Sequence, residues 1–219
     1  MAKYGGMAGG VYSVPSWYSS QKNLRLLAER TAREKEALGP NWQMIATVTP
    51  MGAGAFGGGR IRSEENFDMM VQAFANGATG FGIFTDGYVD DPGIYLAWGE
   101  AISLTVPYED IIFNGSIARD LVKVAADNAQ ASAIHHRSTN RAFIAISPDA
   151  IMQHGGTDRP PMTTVDLRFD AGTTGLSTVD MQLTNLRDGK AAPVKCPGGK
   201  CKLTLHLDST AVLLFAPAK

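Results

Sequence analysis

The sequence predicts an α/β chain in two parts: a parallel sheet built from strand–helix units, then an all-β antiparallel sandwich domain. Three observations carry this. Between residues 11 and 107, β-rich runs alternate three times with helix-period segments. Beyond residue 126, short β runs are separated by Gly, Pro and Asp turns, and several of them alternate strictly. The length, 219 residues, suits one large or two small domains. The boundary is placed near residue 125, which gives units 1–125 and 126–219.

In the first unit, Val11-Tyr12-Ser13-Val14-Pro15-Ser16-Trp17 is β-rich, and Ser20 is the candidate N-cap of a helix that runs to about Leu38. Leu24, Leu27, Ala28 and Thr31 form its apolar face, and Gly39-Pro40 ends it. The second strand is Met44–Thr49, closed by Pro50 and followed by the glycine-rich run Gly52–Arg60. Ser63 caps the next helix, with Glu64 and Glu65 at the positive end of its dipole. Phe67, Met70, Val71 and Phe74 form its buried stripe, and Gly77 is its C′ residue. The third strand is Gly80–Thr85. Asp91 and Pro92 open a helix that presents Ile94, Tyr95, Trp98 and Ile102 and ends before Pro107. A strand-like Ile111-Ile112-Phe113 and a short helix near 117–125 complete the unit.

The second unit holds β runs at 131–134, 142–146, 164–169, 178–184, near Val194, at 203–207 and at 212–215. In Thr164–Phe169 and Leu203–Leu207, apolar and polar residues alternate, so each strand has one buried and one wet face. Arg187-Asp188-Gly189-Lys190 is a hairpin-type turn. Cys196 and Cys201 flank Pro197-Gly198-Gly199-Lys200, and a four-residue hairpin loop would set them opposite each other at disulfide distance. Two free thiols are the other reading. A disulfide favours a secreted or lumenal setting.

Composition excludes several classes. The chain is 44% apolar and 19% charged with a formal net charge of -1, so it carries no overall basic footprint for nucleic acid or an anionic bilayer. It has no run of about eighteen apolar residues to span a membrane. The first ten residues hold no apolar stretch of signal-peptide length. The glycine spacing at 52–57 matches a dinucleotide loop only weakly, because the helix starts late and no ribose-binding acid follows. His135 and His136, adjacent on a strand, point to opposite faces and cannot share a metal. No cofactor is implied.

The segments 77–84, 107–112, 141–147, 186–190 and 211–215 together resemble the back end of (β/α)8-barrel glycoside hydrolases with a C-terminal antiparallel β-domain. The resemblance is one of architecture, not of a catalytic motif. It implies that the first unit is a partial (β/α)-barrel-like parallel sheet, with its site at the C-terminal strand ends. There Trp17, Tyr18 and Tyr88 would be aromatic platforms for a sugar, and Arg60, Arg62 and Asp90 polar contacts. Asp86 is the candidate catalytic carboxylate. Glycoside hydrolysis takes two such groups, and no second one sits at a neighbouring strand end. A whole barrel takes about 250 residues, so the expectation is part of a carbohydrate-active enzyme, or a non-catalytic sugar-binding or assembly subunit. The open sheet edge predicts a homo-oligomer or association with another chain that completes the barrel.

Overall fold

The computed structural model describes residues 7–12, 20–39, 43–48, 63–83, 92–126, 128–148, 162–170 and 181–218. The first strand–helix units form as β1 (Met7–Tyr12), α1 (Ser20–Leu38), β2 (Gln43–Val48), α2 (Ser63–Ala75) and β3 (Gly80–Ile83). These three strands pair in parallel in the order β1-β2-β3. Two more helices follow, α3 (Pro92–Thr105) and α4 (Glu109–Asn114), joined by a tight turn at Val106–Tyr108 that holds Pro107.

The remaining described strands are antiparallel. The strands are β4 (Ser116–Ile117), β5 (Val122–Val124), β6 (Ala129–His136), β7 (Arg141–Pro148), β8 (Thr163–Asp170), β9 (Met181–Asn185), β10 (Ala191–Val194), β11 (Lys200–Leu207) and β12 (Ala211–Pro217). They form a six-stranded sheet, β10-β9-β12-β7-β6-β4, and a three-stranded sheet, β11-β8-β5.

This overturns the predicted fold class. Nine of the twelve described strands are antiparallel, and three parallel strands are not a (β/α) barrel. The expectation failed first between residues 109 and 124. Ile111-Ile112-Phe113, read as a strand, lies in α4, and the segment read as a helix supplies β4 and β5. Three apolar residues in a row set no period. Glu109 and Asp110 in the first turn suit a helix start, and Ile111 and Ile112 are both buried. β4 then pairs antiparallel with β6, and every later described strand is antiparallel.

The six-stranded sheet is covered on both faces. On one side Ile144, Ile146, Leu213 and Phe215 pack against Val165, Leu167 and Phe169 of the three-stranded sheet. Phe169 and Phe215 stack across this layer with centroids 5.9 Å apart. On the other side Phe143, Ala145 and Val212 pack against Phe67, Val71, Trp98 and Ile111 of the helices. The unbroken apolar runs at 142–146 and 212–215 therefore belong to strands buried on both faces. β8, by contrast, keeps the one-sided alternation that its sequence predicts.

Helix faces differ from expectation at α3. Its buried stripe is Ile94, Ala97, Trp98, Ala101 and Thr105, while Tyr95 and Ile102 are exposed. Helix α2 ends in the reciprocal pair of hydrogen bonds of a Schellman motif, Gly77 N–H to the Phe74 carbonyl and Ala78 N–H to the Ala73 carbonyl, each 3.0 Å. Gly77 holds φ at 88°, as a C′ glycine should.

Gly115 joins α4 to β4 where the backbones touch. A Cβ there would overlap the Ile111 carbonyl oxygen and come within 2.9 Å of Ile134 Cγ1. Neither the helix end nor the central strand can easily yield. Gly115→Ala is therefore expected to destabilise the fold by about 1–3 kcal/mol, read as a lower urea midpoint at unchanged slope. An unchanged midpoint would mean that the α4–β6 contact is looser than described.

Candidate functional site

The residues singled out for sugar contact and catalysis, Trp17, Tyr18, Arg60, Arg62, Asp86, Tyr88 and Asp90, lie outside the described residues. The sheet edge from which their segments depart is described. Tyr12 is level with Thr47, Thr47 with Gly82, and Val48 with Ile83. The three strands thus end on one edge, within about a residue of each other and across roughly 10 Å of sheet. Trp17 follows the end of β1 by five residues, and Asp86 follows the end of β3 by three.

Helix α2 ties this sheet to the antiparallel part, and it does so with polar side chains. Asp68, Gln72 and Asn76, at i, i+4 and i+8, are 1%, 0% and 6% exposed. Gln72 Nε2 donates to Ser147 Oγ at 3.1 Å and to the Gln130 carbonyl at 3.2 Å. The hydroxyls of Ser147 and Thr210 lie 3.0 Å apart, and Thr210 Oγ1 donates to the Asp68 carboxylate. Asn76 Nδ2 donates back to the Gln72 carbonyl at 2.7 Å. Sequence reasoning missed this spine because polar residues four apart read as a wet helix face. The available signal was the company they keep: Phe67, Met69, Met70, Val71 and Ala73 surround them with no solvent-facing side left.

Arg187 makes a second tie from the β9–β10 turn. Its Nε donates to Glu100 Oε1 on α3 at 2.8 Å, its Nη1 donates to the Thr210 carbonyl at 3.3 Å, and its guanidinium lies 4.6 Å from the Phe67 ring centroid. The turn itself is as predicted, with Gly189 at positive φ.

Cys196 and Cys201 are disulfide-bonded, with Cα atoms 4.5 Å apart. The surrounding geometry is not the expected hairpin. β10 pairs with β9 in the six-stranded sheet, whereas β11 pairs with β8 in the three-stranded sheet. The disulfide therefore closes the turn by which the chain crosses from one layer of the sandwich to the other. A turn signal between two β runs cannot distinguish a hairpin from such a crossing, because both need the same tight reversal.

His135 and His136 do face opposite ways. His136 is hydrogen-bonded to the Ser138 and Thr139 hydroxyls, each at 3.0 Å, beside the Asp110–Arg141 ion pair. His135 is 5% exposed, and its Nε2 has no hydrogen-bond partner among the described residues. Burial, reinforced by the charges of Arg137 and His136, pushes its pKa below the ordinary imidazole value. Among the described residues no three His, Cys, Asp or Glu side chains are grouped to hold a metal. No described helix is long and apolar enough to cross a membrane.

Comparison with known proteins places the fold. No family model matches the chain, and no curated protein does. Solved structures do match. A GH27 β-L-arabinopyranosidase from Geobacillus stearothermophilus superposes with a TM-score of 0.57 at 12% identity, over 93% of this chain and 44% of that one. A protein described as a candidate α-N-acetylgalactosaminidase from Bacillus halodurans gives 0.52 at 15% identity, over 93% and 44%. A third, described as a glycoside hydrolase, gives 0.51 at 14% identity, over 100% and 51%. The chain thus has a glycoside-hydrolase-like fold, and it spans about half the length of the solved structures it matches.

His135 yields a pH prediction. A folded-state pKa below the unfolded value means that the unfolded chain binds more protons in the window between the two, so stability falls as pH drops below about 6.5. Thermal melts at about pH 5 and about pH 7.5 should show this loss in the native protein and less of it in His135→Gln. An equal loss in both would assign it to other groups.

Proposed function

We propose that this chain is a carbohydrate-active protein of glycoside-hydrolase type, whose sugar site lies at the common edge where β1, β2 and β3 end. The observation that carries the reading is the strand register. It starts the segments bearing Trp17, Tyr18, Arg60, Arg62, Asp86, Tyr88 and Asp90 from neighbouring points on one edge. The fold likeness supports it, since the solved structures are described as a β-L-arabinopyranosidase bound to arabinose and as a candidate α-N-acetylgalactosaminidase. Aromatic faces pack on the C–H surfaces of a sugar, and Arg and Asp groups take its hydroxyls. In this reading Asp86 is the catalytic carboxylate, and its partner comes from outside the segments named. The two-unit organisation, 1–125 and 126–219, belongs to the same proposal: the first unit carries the site, and the second braces it through the Gln72–Ser147 spine.

A second reading, a non-catalytic sugar-binding or assembly subunit, is favoured by α3. Tyr95, Leu96 and Ile102 on α3 and Val106 in the turn after it are exposed, Leu96 at 74%. Such a patch on a soluble protein marks a contact surface, either between two copies or with another chain.

Three measurements test these readings. Calorimetric titration with neutral monosaccharides and oligosaccharides should show binding that Trp17→Ala weakens by about tenfold. If turnover accompanies binding, Asp86→Asn should lower kcat by a factor of about a hundred or more. Binding without turnover selects the second reading, and light scattering should then show a particle larger than one chain that Leu96→Glu dissociates. Absence of any glycan binding refutes the first reading and leaves of the second only the assembly subunit, which light scattering then tests.

A further inference from the structure

The outer face of the three-stranded sheet carries a row of charges that the fold does not need. Along β8 and β11, outward residues meet in register: Thr164 with His206, Asp166 with Thr204, Arg168 with Lys202, and Asp170 with Lys200. Three of these rows are complementary. Thr164 Oγ1 and His206 Nδ1 are 3.1 Å apart, Thr204 Oγ1 donates to Asp166 at 2.6 Å, and Lys200 Nζ lies 3.7 Å from Asp170. The remaining row sets cation against cation, and β5 extends it, because Lys123 stands opposite Arg168 on the other side. Like charges placed directly across strands destabilise a sheet.

Lys123 is relieved by Asp120 at 2.8 Å. Arg168 and Lys202 have no ion pair among the described residues. The two outward acids flanking Arg168 on β8 have other contacts: Asp166 accepts from the Thr204 hydroxyl, and Asp170 lies 3.7 Å from Lys200 Nζ.

The row lies in a cleft of about 670 Å3. Lys195 and Lys200 join Lys123, Arg168 and Lys202 in its lining, against only two acids, Asp120 and Asp170. Both acids already face a lysine. Pro197, which is exposed, adds apolar surface to the same cleft. The Cys196–Cys201 disulfide anchors the wall that carries Lys195 and Pro197 against the strand that carries Lys200 and Lys202.

We infer that this cleft is a binding site for an acidic oligosaccharide, one whose sugar rings carry carboxylate or sulfate groups. Cations spaced by the strand separation, about 4.8 Å, meet successive anionic groups of a chain laid across the strands. The guanidinium of Arg168 can hold a carboxylate or sulfate through two parallel hydrogen bonds, and the lysine stems and Pro197 offer apolar surface to the C–H faces of the rings. The site is distinct from the edge of the parallel sheet. It rests on the proposed function only for the choice of a sugar backbone.

The test is calorimetric titration of the full chain with oligogalacturonate, with sulfated dextran, with neutral dextran of equal length, and with a single-stranded DNA oligonucleotide. One or both acidic glycans should bind, and which of them does so distinguishes carboxylate from sulfate. Binding should weaken as salt is raised, and Arg168→Gln with Lys202→Gln should lower affinity about tenfold or more. Both side chains are exposed, so the double variant should fold, and without ligand it should melt no lower than the native protein. Acidic-glycan binding that the double variant leaves unchanged would overturn the assignment. So would DNA bound as tightly as the better glycan, which would reduce the cleft to a general polyanion surface, or failure of both acidic glycans to bind. Neutral-glycan binding lost on Trp17→Ala but kept in the double variant reports on the sheet-edge site alone, so the two proposals fail separately.

Discussion

The structure depends on one pair of strands. β7 and β12 lie side by side at the centre of the six-stranded sheet, and Ala142, Phe143, Ile144, Ala145 and Ile146 are each fully buried. Alternate residues serve opposite layers. Ile144, Ile146, Leu213 and Phe215 hold the three-stranded sheet, and Phe143, Ala145 and Val212 hold the helices. Each large side chain so buried contributes about 1.5–3 kcal/mol. The pair is therefore a wall shared by the α/β and all-β parts of the chain, and each part borrows its core from it.

The polar contacts follow from that wall. A helix laid flat on a buried sheet must bury a whole face, and α2 buries Asp68 and Gln72 with it, followed by Asn76 in the turn that ends it. Buried amides and carboxylates cost free energy that hydrogen bonds offset. The partners are Ser147 at the end of β7, Thr210 at the start of β12, and the Gln130 and Ala145 carbonyls. Their geometry fixes where α2 sits along the sheet. That in turn sets the position of β2 and β3, and so the edge where those strands end. Arg187 repeats the tie from the other side, through Glu100 of α3.

Much of this was legible in the sequence, and what was not has physical reasons. Ser20, Gly39, Gly77 and Pro92 marked helix ends because capping is local chemistry. The strands from 129 onward were legible as β runs between turns. What failed was partnership. The runs at 142–146 and 212–215 did not reveal that both faces were covered. Pro197-Gly198-Gly199 did not reveal that its flanks join different sheets. The three-residue run at 111–113 had too little length to show a period. A formal net charge of -1 over the whole chain concealed a local row of cations, because only the strand register brings Lys123, Arg168 and Lys202 together. The candidate sugar residues came from the resemblance and the strand ends it points to; they lie outside the described residues, and what the structure describes there is that β1, β2 and β3 end level with one another.

The shared wall is tested most directly by native-state amide hydrogen exchange across the described strands and helices. If β7 and β12 carry both layers, their amides exchange slowest, by global unfolding, and those of α2 and β8 open with the same free energy and the same denaturant dependence. Opening of α2 at a much lower free energy, while β7, β8 and β12 stay protected, would contradict it. The helices would then be a separable layer resting on a self-sufficient sandwich.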